Sequence, residues 1–189
     1  YSGFMFVITN GLWITELPRT LTILGKFKVL GIPGRLIILA LILIIIAVLL
    51  HYTKFGRYIY AVGNNVKAAT LAGVPERPIV FSTYAIAGVI AAIAGLLYVS
   101  YTGLTTPTLG VDMQMEALAA AIIGGASIFG GKGTPAGSLL GALLLVLIAS
   151  ALVFFHLPAI WNKVAEGLVI LVAVVIDAVL DKNTGKIGG

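Results

Sequence analysis

From Leu36 to Tyr52 the chain is an almost unbroken run of Leu, Ile and Val, closed at its far end by Lys54 and Arg57. A run of that length falls within the roughly 17 to 25 residues that carry a helix across a bilayer. Hydrocarbon supplies no hydrogen-bonding partner, so the backbone there must satisfy itself, and an unbroken apolar run does so as a helix. Ile79 to Thr102, Pro135 to Phe155 and Pro158 to Leu180 read in the same way, with Pro135 acceptable in a first helical turn. The 189 residues are 60% hydrophobic and only 10% charged, against about a quarter charged in soluble domains. The predicted fold is therefore all-α, a polytopic membrane helix bundle forming a single transmembrane domain over residues 1–189.

Between the long runs the pattern is less regular. Met113 to Phe129 is a marginal further span of about 17 residues, with Gln114 and Glu116 near its start and Gly124 and Gly125 near its end, so it reads as short, re-entrant or broken. Tyr1 to Thr9 is apolar but too short to cross. Asn10 to Gly34 is predicted to be a loop, holding the interfacial Trp13 and the breakers Pro18, Gly25, Gly31 and Pro33. Within the second long run Ala87, Ala91 and Gly95 recur every four residues, a stripe that admits close approach by another helix. Tyr98, Tyr101 and Trp161 suit the membrane interface. His156, Leu157 and Pro158 make a tight hairpin between the last two runs. An outside start places Lys54, Arg57, Lys67, Arg77, Lys132, Lys182 and Lys186 inside, against Arg19, Lys26, Lys28, Arg35 and Lys163 outside. That excess favours a cytoplasmic C-terminus. The chain opens on Tyr1 with no basic segment before a cleavable apolar stretch, and so reads as part of a longer protein without a signal peptide.

Several chemistries are excluded by composition. There is no cysteine for a thiolate site, His51 and His156 are too sparse for a metal, and the basic residues sit in connections beside lipid headgroups, with no nucleic-acid footprint. The glycine block from Gly124 to Gly141 invites a phosphate-loop reading around Lys132, but Ala126 stands where the first glycine is required and Gly133 where Ser or Thr is required. Gly133, Gly137 and Gly141 are instead expected along one face of a helix as a packing groove. Gly124, Gly125, Gly130 and Gly131 are expected to make a tight reversal, with Lys132 at its cytoplasmic end.

The connection from residue 54 to 78 carries the punctuation of a short helix. Asn65 can cap it, Val66, Lys67, Ala68, Ala69, Thr70, Leu71 and Ala72 propagate it, Gly73 closes it and Pro75 stops it. A helix shorter than about 12 residues is marginal in water, so this one rests on its own protein or docks into a partner. Two readings stand: a surface loop helix, or a docking helix for a cytoplasmic motor subunit.

Taken together, Gly56-Arg57-Tyr58-Ile59-Tyr60-Ala61-Val62-Gly63-Asn64-Asn65, the Ala68 to Gly73 segment, Ala119 to Ser127 and Gly130-Gly131-Lys132-Gly133-Thr134 resemble, in order and spacing, the permease subunits of ribose-type ABC sugar importers. The ending from Trp161 to Asp177 is similar to that family's last helix. The resemblance runs from about Leu30 onward and implies the C-terminal portion of a permease of roughly ten spans, of which the spacing of apolar runs places about five here. It further implies translocation of a monosaccharide such as ribose, xylose or galactose through a bacterial inner membrane. The implied partners are a second permease copy, a periplasmic or extracellular sugar-binding protein, and a cytoplasmic ATPase that alone uses ATP and Mg. No cofactor falls to this chain. Asn64 to Gly73 would be the coupling helix. At Asp112 to Glu116 the chain departs from the family pattern, and the sugar-contacting residues stay unassigned. Glu166 and Asp177 lie near the ends of the last span and read as interfacial. An ion-coupled secondary sugar transporter is the alternative, resting on the broken Met113 to Phe129 segment; a membrane enzyme ranks last.

Overall fold

A computed structural model describes residues 2–12, 18, 25, 27–29, 31–106, 108–155, 158, 160–161, 163–164, 167–172 and 174–175. The chain forms two compact units, residues 1–46 with 77–112, and 47–76 with 113–189.

In the first unit, α1 (Ser2–Thr9) is followed by a ribbon of two short strands, β1 (Lys28–Val29) and β2 (Ile32–Pro33). They pair antiparallel with Lys28 opposite Pro33 and Val29 opposite Ile32. This corrects the expectation of an uninterrupted loop to Gly34. Gly31, at φ +84°, takes the left-handed turn position that lets the chain reverse so tightly. The ribbon feeds straight into α2 (Gly34–Tyr52), whose first amide, on Gly34, donates to the Phe27 carbonyl at 2.9 Å. Beside it, the Arg35 guanidinium lies 3.8 Å from the centre of the Tyr101 ring. That pair adds about 0.5–1 kcal/mol where solvent still reaches it. It also gives Tyr101 a defined partner at the end of α5 (Glu76–Thr102). Ser100 is completely buried beside it, and Gly25 comes so close to the Ser100 backbone that an added Cβ would stand 2.5 Å from the carbonyl carbon.

α2, α5 and α7 (Pro135–Phe154) are long and apolar enough to cross a membrane. Their large side chains point outward: Ile44 on α2, Phe81 on α5 and Leu147 on α7 are 61%, 76% and 69% exposed. Such surfaces belong against lipid or other membrane helices, and a water-facing protein does not display them in contiguous runs. The small-residue stripe on α5 is open among the described residues. Ala87 and Ala91 are exposed, and a Cβ added to Gly95 would meet nothing within 4 Å, so the expected close helix partner is not supplied there.

The run from Met113 to Phe129 does not form one span. α6 (Val111–Ile123) is 13 residues long and ends well short of Phe129. Its closure is a paired carbonyl cap. The Gly125 amide donates to Ile122 at 2.9 Å and the Ala126 amide to Ala121 at 2.9 Å, with Gly125 at φ +86°. This double bond pattern with a left-handed glycine terminates a helix. α7 then starts under Thr134, whose hydroxyl accepts from the Gly137 amide at 3.0 Å, with Pro135 in the first turn. The last run, Pro158 to Leu180, is helical at 160–161, 163–164, 167–172 and 174–175, while Glu166, Asp177, His156 and Leu157 lie outside the described residues, as does Trp13.

α6 and α7 meet backbone to backbone. A Cβ on Gly137 would collide with the Gly124 carbonyl, and one on Gly141 with the Ala120 carbonyl. The buried Ala119, Ala120 and Ile122 lie on the α6 side of this contact. Gly141→Val is expected to destabilise the full-length protein by about 1–3 kcal/mol through overpacking. Gly88→Ala, at a site with nothing within 4 Å, should be neutral or slightly stabilising. Thermal unfolding in detergent of the two variants checks this.

Candidate functional site

The second unit builds its site from three short pieces: α3 (Lys54–Asn64), α4 (Val66–Leu71) and the glycine loop between α6 and α7. The 54 to 78 connection is thus more ordered than expected. After α2 the chain restarts as a helix, because Thr53 takes an extended conformation and its hydroxyl accepts from the Gly56 amide at 3.2 Å. The same hydroxyl donates back to the Leu49 carbonyl at 2.5 Å, tying the start of α3 to the last turn of α2. Thr53 was the available sequence signal for this helix. Gly56 and Gly63, near its two ends, masked it.

Asn65 serves two helices. At φ −157° and ψ 103° it is extended, its amide donates to Ala61 at 3.1 Å to close α3, and its side-chain oxygen accepts from the Ala68 amide at 3.0 Å to open α4. Asn64 therefore ends α3 and does not belong to the short helix, a correction to the Asn64 to Gly73 boundary. Ala72 caps the far end. The Gly73 amide donates to Thr70 at 3.0 Å and the Val74 amide to Ala69 at 3.0 Å, with Gly73 left-handed at φ +81°. Ala69 and Val74 are the two buried residues of this turn, 5% and 8% exposed, and their burial accompanies the cap.

Everything else on α4 faces out. Val66, Lys67, Ala68 and Thr70 are exposed and Leu71 is 90% exposed. A helix of six residues is far below the length that is stable in isolation, so both caps and the Ala69 anchor are what hold it.

The base of α3 sits on the glycine loop. A Cβ on Gly63 would stand 2.7 Å from the Gly131 amide nitrogen, one on Gly130 would stand 2.5 Å from the Gly63 carbonyl oxygen, and one on Gly131 2.8 Å from Asn64. One turn earlier, the Tyr60 hydroxyl donates to the Gly133 carbonyl at 2.7 Å in a half-buried setting. A net hydrogen bond of this kind contributes about 0.5–1.5 kcal/mol. Within the loop, the Ser127 amide donates to Lys132 at 3.2 Å and the Gly130 amide to Ser127 at 3.2 Å. Gly130 and Gly131, at φ +92° and +72°, occupy conformations that side chains rarely adopt. The reversal expected of Gly124, Gly125, Gly130 and Gly131 is therefore two devices. Gly125 terminates α6, and Gly130 with Gly131 forms a seat for α3, while Gly124 packs on Gly137. Gly133 also departs from expectation. It lies before α7, at φ +146°, and contributes its carbonyl to Tyr60, so only Gly137 and Gly141 line the helix groove.

A groove of about 350 Å³ lies between α6 and α7, lined by Met113, Glu116, Ala117, Ala142, Val146 and Ala149 among others. Apart from Glu116 its wall is apolar, and it lacks the array of donors and acceptors with which a protein holds a polyol. Among the described residues no cluster of His, Asp or Glu has the spacing of a metal site.

A family model described as "Branched-chain amino acid transport system / permease component" matches residues 2–174. The chain belongs to this permease family. Curated relatives include the autoinducer 2 import system permease protein LsrC of Yersinia enterocolitica serotype O:8, 38% identical over 177 residues, covering 94% of this chain and 49% of the relative. The LsrC protein of Yersinia pseudotuberculosis serotype O:1b is 40% identical over 182 residues, covering 94% and 50%. That of Photorhabdus luminescens is 37% identical over 177 residues, covering 94% and 54%. The chain spans about half the length of the curated relatives it matches. No solved structure gives a significant match. The family match and three apolar helices make this permease a multi-pass membrane protein.

Within the permease, α4 is held by its caps. Asn65→Ala should cost the short helix about 1 kcal/mol. Gly73→Ala should cost about 1–2 kcal/mol, because the left-handed conformation disfavours any Cβ. Faster amide hydrogen exchange confined to residues 66–72 of the full-length protein is the expected readout for both.

Proposed function

We propose that this permease is part of the membrane subunit of an ATP-binding-cassette importer, and that α4 is the helix through which a cytoplasmic ATPase drives it. The observation that carries this reading is the six-residue helix itself, capped at both ends, anchored through Ala69 and presenting Lys67, Thr70 and a 90% exposed Leu71. A short rigid helix of this kind suits docking into a groove of a partner, since an exposed apolar side chain flanked by a cation and a hydroxyl gives both burial and orientation. In this reading hydrolysis of ATP with Mg takes place in the partner, and its closure reaches the membrane as a rigid-body shift.

The cargo we propose is a sugar or autoinducer 2. The relatives named above are import permeases for autoinducer 2, and the sequence resembles ribose-type permeases across several separate motifs. Two permease copies would form the path in the bacterial inner membrane. A binding protein would deliver the cargo from outside, and Lys54, Lys67 and Lys132, with the C-terminus, would face the cytoplasm.

Cysteines introduced at Lys67 and Thr70 of the full-length subunit should crosslink to the cognate ATPase in the assembled complex; assembled complex without adducts sinks the docking assignment. ATP-dependent uptake by proteoliposomes, compared across autoinducer 2, a pentose and a hexose, tests the cargo. Preference for branched-chain amino acids over all three would overturn it.

A further inference from the structure

A docking helix does nothing unless its displacement reaches a membrane span. α4 leaves for α5 through Gly73, Val74 and Pro75, a poor strut, but it is tied to α3 through Asn65, which caps both helices. From α3 the glycine loop provides a stiffer route. Gly63 and Asn64, immediately before Asn65, rest on Gly130 and Gly131 with no side chain between the backbones. The hydrogen bond from Tyr60 to the Gly133 carbonyl spans 73 residues of sequence and pins α3 one residue before Thr134, the cap of α7. From there Gly137 and Gly141 pack α7 onto the Ala120 carbonyl of α6 and the Gly124 carbonyl just past its end. Side chains can yield by changing rotamer, whereas backbone packed on backbone has no such freedom, and close-packed interiors transmit displacement with little compression.

We infer that Tyr60, Gly63, Gly130 and Gly131 form a rigid joint that carries motion of α4 into the start of α7, so that α3, α4, the glycine loop and the first turn of α7 move as one body. The inference deepens the docking assignment of α4 and rests on it. These four are positioning residues. They touch neither the ATPase nor the cargo in this reading, and their role is to keep the distance between the docking helix and the span constant through the cycle.

The test uses the assembled full-length complex in nanodiscs, with spin labels on cysteines replacing the exposed Lys67 and Ala136. The expected result is one narrow interlabel distance distribution, the same in the nucleotide-free and ATP-trapped states. In Tyr60→Phe, which removes only the hydroxyl, and in Gly63→Ala, which wedges the contact, the distribution should broaden. Cargo moved per ATP hydrolysed should fall several-fold, while the crosslink from residue 67 to the ATPase persists. Two results overturn the joint alone: a distance that shifts between states while the crosslink persists, or both variants keeping the wild-type ratio of transport to hydrolysis. Absence of the crosslink in the wild-type complex overturns the docking assignment, and the joint's role with it, irrespective of the distance measured.

Discussion

Lipid gives two helices no hydrophobic reason to associate, so what holds α6 to α7 is contact itself. Gly137 and Gly141 let the two backbones touch at the Gly124 and Ala120 carbonyls, where van der Waals attraction is strongest because nothing stands between. The rest of the second unit is built outward from that contact. The Gly125 cap that ends α6 and the Thr134 cap that starts α7 lie beside it, and between them the loop turns through left-handed glycines. The loop then has a shape into which α3 fits, and α3 in turn decides where α4 stands.

The spans were legible because hydrocarbon admits only one backbone solution for a long apolar run. Leu36 to Tyr52, Ile79 to Thr102 and Pro135 to Phe155 each correspond within a few residues to a helix of the structure. The caps of α4 were legible for a related reason: Asn65, Gly73 and Pro75 act on their own neighbours, and local hydrogen bonding is written in local sequence. The seat of α3 was not. Gly63 and Gly130 are 67 positions apart, and nothing in either segment says that it faces the other. A glycine is equally at home in a turn, a groove or a close approach, so its role is settled only by what lies opposite. The same ambiguity misplaced Gly133, which continues the four-residue spacing of Gly137 and Gly141 yet lies outside the helix. The β1–β2 ribbon escaped because two residues per strand carry no periodicity to read.

The family match and the resemblance approach the cargo from different sides. The family description names branched-chain amino acids, whereas the curated relatives import autoinducer 2 and the quoted motifs resemble sugar permeases. The glycine contacts and caps of this chain concern backbone geometry, and a backbone contact is indifferent to cargo.

The division between the buried and exposed faces of α4 has a consequence for how such a subunit can change. Ala69 and Val74 are buried, and the glycines beneath α3 occupy space that a larger residue cannot share. Lys67, Thr70 and Leu71 are exposed, and the Thr70 hydroxyl donates back to the Val66 carbonyl of the same helix at 2.9 Å. Under the proposed docking, the outward face could be rewritten to suit a different motor, one residue at a time, without disturbing the packing below it. In the proposed docking, matching to a partner and transmission of force would be separable traits, carried by opposite sides of a single helical turn.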